Sequence, residues 1–267
     1  MERAPRGFDP TTPNVARLYD YFLGGKDHLA VDRAAAEEIL RTAPETRGAA
    51  RANRAFVLRA VRELAAAGVR QFVDIGAGLP APTNVHDVAR QVAPGARVAY
   101  VDHDPVVLTH VRALPADDDL TAVVEGDLRD PGGILKHPDL LRVIDFAEPV
   151  GIVLGAVLHF VGDADDPAHI VATLRRAMAP GSHLVLSHVT GDARPATVEA
   201  AAEVYGRAGV PLHPRGRERI AELLAGFEPA EPGLVWLPQW RPEEADVIDF
   251  AADPTASLAL GGVGRKV

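Results

Sequence analysis

The sequence predicts an α/β fold, a mostly parallel sheet with helices on both faces, preceded by a helical segment. Three observations predict it. From residue 71 onward, short apolar runs alternate with helix-length segments, the pattern of strands joined by crossover helices. The 22 prolines fall mostly between these elements and punctuate them. Glycines and acidic residues collect just past several of the apolar runs, where open parallel sheets bind their ligands.

Residues 1–13, charged and proline-bearing, read as a loose arm. Over 14–40, Val15, Leu18, Tyr19 and Phe22 recur at helical spacing, as do Ala35, Ile39 and Leu40, so two helices are expected, joined at Gly24-Gly25. Gly25 suits a left-handed stop, and Asp27 or Asp32 the following N-cap. A third helix, about 50–67, sets Phe56, Val57, Ala60, Val61 and Leu64 on one face and ends at Gly68. Strands are expected at 71–75, 97–101, 121–125, 151–154 and 183–187. Helices are expected between them at 84–92, 105–114, 134–140 and 169–179, with Thr83 capping the first. Two more helical stretches follow Ala193, and then "VWLPQW" and "ASLALGGVG", two strands able to pair as an antiparallel edge. No linker divides the chain after residue 70, so the expected division is 1–49, an arm and helical lid, and 50–267, the sheet domain.

Composition bounds the function. A length of 267 residues, 47% hydrophobic and 24% charged, is that of a globular chain with a full core. The net charge of −9 argues against an electrostatic grip on nucleic acid, although arginines cluster over 47–70 and 215–219. Without cysteine there is no disulfide, no thiolate nucleophile and no cysteine-ligated metal. The start resembles no signal peptide, and the longest apolar run, "PVGIVLGAVLHFVG", is too short to span a bilayer. A soluble, cytoplasmic protein with no membrane partner is expected. The histidines build no metal site. His183 and His188 fall on opposite faces of a strand end, His103 precedes the helix that carries His110, and no H-E-x-x-H occurs.

Four strand ends carry candidate chemistry: Gly76 and Gly78, then Asp102, then Gly126-Asp127, then His159-Phe160. Singly, each has an ordinary reading as a tight turn, a cap, a loop bend or a packed histidine. Together they suit one ligand. A turn without side chains allows close approach, and a carboxylate past the second strand can accept both hydroxyls of a ribose. An acid past the third can accept from an adenine amino group. The spacing D-x-G-x-G lacks the third glycine of the dinucleotide fingerprint, and Leu79-Pro80 stands where a pyrophosphate would sit. The pattern wants adenosine without phosphate.

That arrangement, with "RLYDYFLGGKDHLAVDR", "DIGAGLP", "YVDHDPVVLTHVRAL", "GDLRDP" and "GGVGRK", resembles the class I S-adenosylmethionine-dependent methyltransferases. Within them it is similar to a subfamily of S-adenosyl methyltransferases formerly catalogued as a domain of unknown function. The resemblance runs from about residue 50 to the end and includes the N-terminal string. It implies a Rossmann-like sheet of seven strands, the first five parallel and the last antiparallel. It places Asp74, Gly76 and Gly78 at the methionine, Asp102 at the ribose, and Asp127 with the Leu128 backbone at the adenine, with His103 also among the cofactor-binding residues. Gly155, Ala156 and His159 would lie beside the methyl donor, with His159 the first candidate for a general base, ahead of Asp27 and Tyr21. The helical lid would bring Tyr19, Tyr21, Lys26 or Asp27 to the methionine or the acceptor, with Tyr205 and His213 lining an acceptor pocket. The implied cofactor is S-adenosylmethionine, leaving as S-adenosylhomocysteine. No Asn-Pro-Pro-Tyr string follows the fourth strand, which with the acidic charge favours a small-molecule acceptor. A non-catalytic S-adenosylmethionine-binding protein and an NAD-dependent oxidoreductase remain as alternatives.

Overall fold

The computed structural model describes residues 9–114, 119–243 and 249–267, so residues 1–8 of the expected arm lie outside the described residues. Three helices come first: α1 (Val15–Leu23), α2 (Ala30–Thr42) and the long α3 (Thr46–Ala66). α1 is capped by Asn14, whose side chain accepts from the Arg17 N–H, and stops at Gly24 with φ +84°, one residue earlier than expected. Gly25 has a different task. A Cβ there would meet Asp20 Oδ1 at 1.9 Å, and the same carboxylate accepts from the Asp27 N–H at 2.9 Å. Leu29, not Asp27 or Asp32, occupies the N-cap of α2, and Asp32 reaches back from the first turn to the Leu29 N–H at 2.7 Å. Asp32 is fully buried and also binds Arg17 Nε at 2.7 Å and the Asn14 N–H at 2.9 Å. A buried ion pair therefore pins α1 to α2.

The strands are β1 (Gln71–Ile75), β2 (Arg97–Asp102), β3 (Thr121–Glu125), β4 (Gly151–Gly155), β5 (His183–Val189), β6 (Glu228–Pro229), β7 (Val235–Trp236) and β8 (Ala259–Arg265). β1 to β5 are parallel and β8 runs antiparallel to β5. The order is β3-β2-β1-β4-β5-β8-β6, with β7 also on β8, so the sheet has eight strands where seven were expected. The two added pieces, β6 and β7, are two residues each. The expected antiparallel pair forms as β7–β8, but β8 lies inside the sheet, between β5 and β6.

All five residues of β1 are buried, as both-face coverage of a parallel strand requires. Alternate side chains feed two cores, one around Val73, Ile75, Ile152 and Leu154, the other around Phe56, Phe72, Val153 and Trp240. Helices α4 (Val85–Val92), α5 (Pro105–Arg112), α8 (Pro167–Ala177) and α10 (Arg217–Leu223) join the elements in turn. Asn84, not Thr83, caps α4, and the Asn84 N–H donates to Asp87 Oδ2 at 2.7 Å. The expected helix at 134–140 is two, α6 (Pro131–Leu135) and α7 (Pro138–Val143), because Pro138 has no N–H to continue one helix and suits the first turn of the next. A third apolar cluster, with Leu18, Phe22, Ile39 and Val204, fastens α1 and α2 to α9 (Pro195–Arg207). Among the described residues, no helix is long and apolar enough to cross a membrane.

Candidate functional site

The turn leaving β1 is built by two glycines with positive φ, Gly76 at +74° and Gly78 at +67°. At Gly76 a Cβ would lie 2.4 Å from a Val157 methyl, so glycine lets this turn rest against the chain leaving β4. At Gly78 the neighbourhood is open and the need is conformational. The Gly78 N–H donates to Asp102 Oδ2 at 3.0 Å, and the Asp104 N–H to Asp102 Oδ1 at 3.0 Å. One carboxylate thus fixes both the glycine turn and the exit of β2. Burial raises its pKa, opposed by those two N–H donors. His103 stands beside it, Nδ1 to Oδ1 3.6 Å, with a largely exposed ring.

A cavity of about 310 Å³ runs along the carboxyl ends of β2, β1, β4 and β5, walled by α1, α3 and α9. At its middle, Asp74 is buried and accepts no hydrogen bond from the described residues. Burial pushes its pKa up to about 6, with Arg54 pulling down and Asp102 adding to the rise. Arg54, on α3, also lines the cavity. Its Nη2 donates to the Thr83 carbonyl at 2.6 Å and to Asn84 Oδ1 at 3.3 Å, while its Nε is buried without an acceptor. Opposite charges, each incompletely satisfied, therefore flank the glycine turn. Such a pair is complementary to a zwitterionic amino-acid group.

Beyond β4, Ala156 adopts φ +57° and donates its N–H to Ser187 Oγ at 2.8 Å. The Ser187 hydroxyl donates to Asn53 Oδ1 at 2.5 Å, Asn53 Nδ2 to Tyr19 Oη at 2.8 Å, and the Tyr19 hydroxyl to the Ala50 carbonyl at 3.0 Å. His159 is buried, and its Nδ1 accepts from the Val189 N–H at 3.4 Å. Burial first, then His188 and Arg215, holds its pKa well below the ordinary histidine range. His188 Nε2 accepts from Arg215 at 2.9 Å, so its proton is on Nδ1, facing the Val189 carbonyl at 2.8 Å. Burial lowers His188 to about 4. Tyr205, on α9, packs its ring against Phe160, and burial raises its hydroxyl, which bonds to none of the described residues.

Of the expected site residues, Asp74, Gly76, Gly78, Asp102, His103, Gly155, Ala156 and His159 line this one cavity, as do Tyr19 and Tyr205. Tyr21, Lys26, Asp27, Asp127, Leu128 and His213 are not among its lining residues. The cavity face of α1 is Val15, Ala16, Tyr19 and Phe22, and Tyr21 lies about 200° round the helix from Tyr19. Its ring packs instead on His28 at 5.0 Å, under Arg47 at 4.7 Å. Lys26 is exposed. Asp127 turns to Arg129, 2.5 Å away, and Leu128 buries its side chain in the core. Sequence reasoning missed Asn53 and Arg54. The signal was a helical stripe, 49, 50, 53, 54 and 57, all of it on the cavity, with two polar residues in it. Among the described residues, no group of three or more histidine or carboxylate side chains is placed to hold a metal ion.

A family profile described as S-adenosyl methyltransferase matches residues 1–267. The chain is similar to the crystal structure of a candidate methyltransferase from Thermobifida fusca YX, at 42% identity and TM-score 0.91, covering 98% of each chain. It is also similar to a DUF574 family protein from Streptomyces avermitilis, at 37% identity and TM-score 0.92, covering 97% of this chain and 99% of that one. An O-methyltransferase family protein from Burkholderia thailandensis, 16% identical, shares the fold at TM-score 0.51 over 96% of this chain and 64% of its own. No curated protein matches.

Proposed function

The chain belongs to the S-adenosyl methyltransferase family and is an S-adenosylmethionine-dependent methyltransferase; on that premise we propose where each part of the cofactor sits and that the acceptor is a small molecule. Asp74 takes the ammonium of the methionine moiety and Arg54 its carboxylate. Gly76 and Gly78 give close approach, and Asp102, beside His103, takes the ribose hydroxyls. The adenine extends past His103 toward Asp127, which lies within electrostatic reach of that histidine, and toward the Leu128 backbone. Gly155 and Ala156 flank the sulfur. The bound cofactor supplies an activated methyl group, so the protein's part is chiefly to position the acceptor and keep water out.

The observation that carries this reading is the pair Asp74, without a hydrogen-bond donor among the described residues, and Arg54, with its Nε unpaired, beside a glycine turn with no phosphate seat. Residues 1–49 act as the lid and 50–267 as the catalytic domain. Of the expected lid residues, Tyr19 lines the cavity while Tyr21 and Lys26 do not, which supports assigning Tyr19 to the ligand. A cavity walled by α1, α3 and α9, in a chain of net charge −9, favours a small acceptor over nucleic acid, and a cytoplasmic setting suits the cofactor. Neither a non-catalytic binding role nor NAD-dependent oxidation has support from the family or the relatives.

Asp102 provides the test. Asp102→Ala is expected to weaken S-adenosylhomocysteine binding by roughly 10- to 100-fold in titration calorimetry, with the fold intact by circular dichroism. Asp102→Asn keeps an acceptor for the Gly78 N–H and is expected to lose less. An unaltered dissociation constant in Asp102→Ala would put the ribose elsewhere.

A further inference from the structure

We propose that the methyl acceptor is a planar aromatic molecule bound through an anionic oxygen, and that two neutral donors, His159 Nε2–H and the Tyr205 hydroxyl, hold that oxygen. The inference rests on the methyltransferase reading of the same cavity and deepens it.

The acids of the cavity, Asp74, Asp102 and Asp104, all sit at the β1 and β2 ends. The half formed by β4, β5 and α9 has no acid among its lining residues, and its walls are Phe22, Phe160, Val198, Ala201 and Leu212. Phe160 and Tyr205 meet with ring centroids 5.9 Å apart and planes at 56°, an aromatic corner that suits a flat apolar body. A cation placed here would find no counter-charge. An anion would find two hydrogen-bond donors.

His159 is a donor by elimination. Its Nδ1 lone pair accepts from the Val189 N–H, so the proton of the neutral ring is on Nε2, which bonds to none of the described residues. The groups facing the ring are Phe160 at 4.5 Å and His188 at 5.5 Å between centroids, with Arg215 behind His188. Burial, His188 and Arg215 each disfavour an imidazolium, and none of these neighbours supplies a counter-charge. Asp163 is the nearest acid of the network, and it is taken up by Arg215 at 2.7 Å. His159 is therefore poorly placed to receive a proton and well placed to give a hydrogen bond. Tyr205 likewise keeps its proton, because burial disfavours the phenolate. An acceptor oxygen that enters as its anion takes the methyl group with one C–O bond formed and one C–S bond broken, the latter's electron pair staying on sulfur. It has no proton left to shed, so no base is needed.

The test uses the full chain saturated with S-adenosylhomocysteine and titrated calorimetrically with 4-nitrophenol, below the phenol's pKa, in two buffers of different ionisation enthalpy. Binding is expected to release about one proton per phenol to the buffer, and tyramine, a cationic phenol, is expected to bind at least about 10-fold more weakly. Tyr205→Phe and His159→Leu are each expected to weaken 4-nitrophenol by roughly 5- to 30-fold, with S-adenosylhomocysteine affinity held within about 2-fold. His159→Gln, which can still donate, should keep most of the binding and carries the test if the leucine variant does not fold. Binding without proton release would mean that the phenol keeps its proton or passes it to His159, and either would overturn the assignment of an anionic oxygen held by two neutral donors. Tighter binding of tyramine, or no binding of 4-nitrophenol to the S-adenosylhomocysteine complex, would overturn the acceptor class alone. Failure of the wild-type chain to bind S-adenosylhomocysteine at all would instead remove the underlying cofactor reading, and this inference with it.

Discussion

Asp32→Ala is expected to lower the unfolding free energy by about 3–5 kcal/mol, the range for removing one partner of a buried ion pair. Asp32 is fully buried and Arg17 nearly so, and the carboxylate also satisfies the Asn14 and Leu29 N–H groups. Alanine would remove the carboxylate that Arg17 Nε meets and leave both N–H groups without that acceptor, at the joint between α1 and α2. For a chain of this size the loss corresponds to roughly 6–20 °C in Tm. α1 also carries Tyr19 and Phe22 to the cavity wall, so S-adenosylhomocysteine should stabilise the variant less than the wild type. Asp32→Asn keeps the shape and one acceptor and should fall between the two. A drop below about 1 kcal/mol by calorimetry would mean that the hairpin relaxes around the missing charge.

Asp74→Asn should separate stability from ligand binding. The Asp74 carboxyl is pushed from 3.8 up to about 6 by burial, so the folded chain holds that proton at pH values where the unfolded chain has lost it. The sign follows. Asp74 costs nothing below pH 3.8, costs increasingly more as pH rises to about 6, and costs on the order of 3 kcal/mol above that. Asparagine cannot ionise. The ligand-free variant should therefore be more stable than wild type at pH 8 and equal to it near pH 3.5, read as the difference in Tm across a pH series. S-adenosylhomocysteine should reverse the order, because its ammonium meets a carboxylate only in the wild type, and wild-type affinity should climb as pH rises through 6. A ligand-free variant less stable than wild type at pH 8 would mean that Asp74 is already satisfied, and the ammonium site would be lost.

Much of this was legible from the chain, for reasons that can be named. β1 to β5 are short, valine-bearing apolar runs bounded by turn residues, and crossover helices leave a parallel sheet little choice of topology. Gly76, Gly78 and Asp102 were readable because strand ends are where such a sheet exposes backbone. The misses have equally local causes. β6 and β7 are two residues each, too short to show any periodicity. Thr83 and Asn84 are adjacent and both are good caps, and only Asp87, three residues after Asn84, decides between them. Tyr19 and Tyr21 were both expected at the ligand, although the helical period of Val15, Tyr19 and Phe22 already separates them. Arg54 borders the apolar face of α3, where a single arginine reads as a solvated flank. The network of His188, Arg215 and Asp163 joins residues up to 52 apart in the chain, and no local pattern announces it.

The bonds from Ala156 through Ser187, Asn53 and Tyr19 to Ala50 tie the exit of β4, the end of β5, α3 and α1 into one thread. Breaking any link strands a polar group where water has little access, at about 1–3 kcal/mol, which makes a half-parted state roughly 5- to 150-fold rarer than the intact one. The exits of β4 and β5 and the wall that α1 sets against them are therefore held by one thread, and parting either from α3 leaves a polar group without its partner.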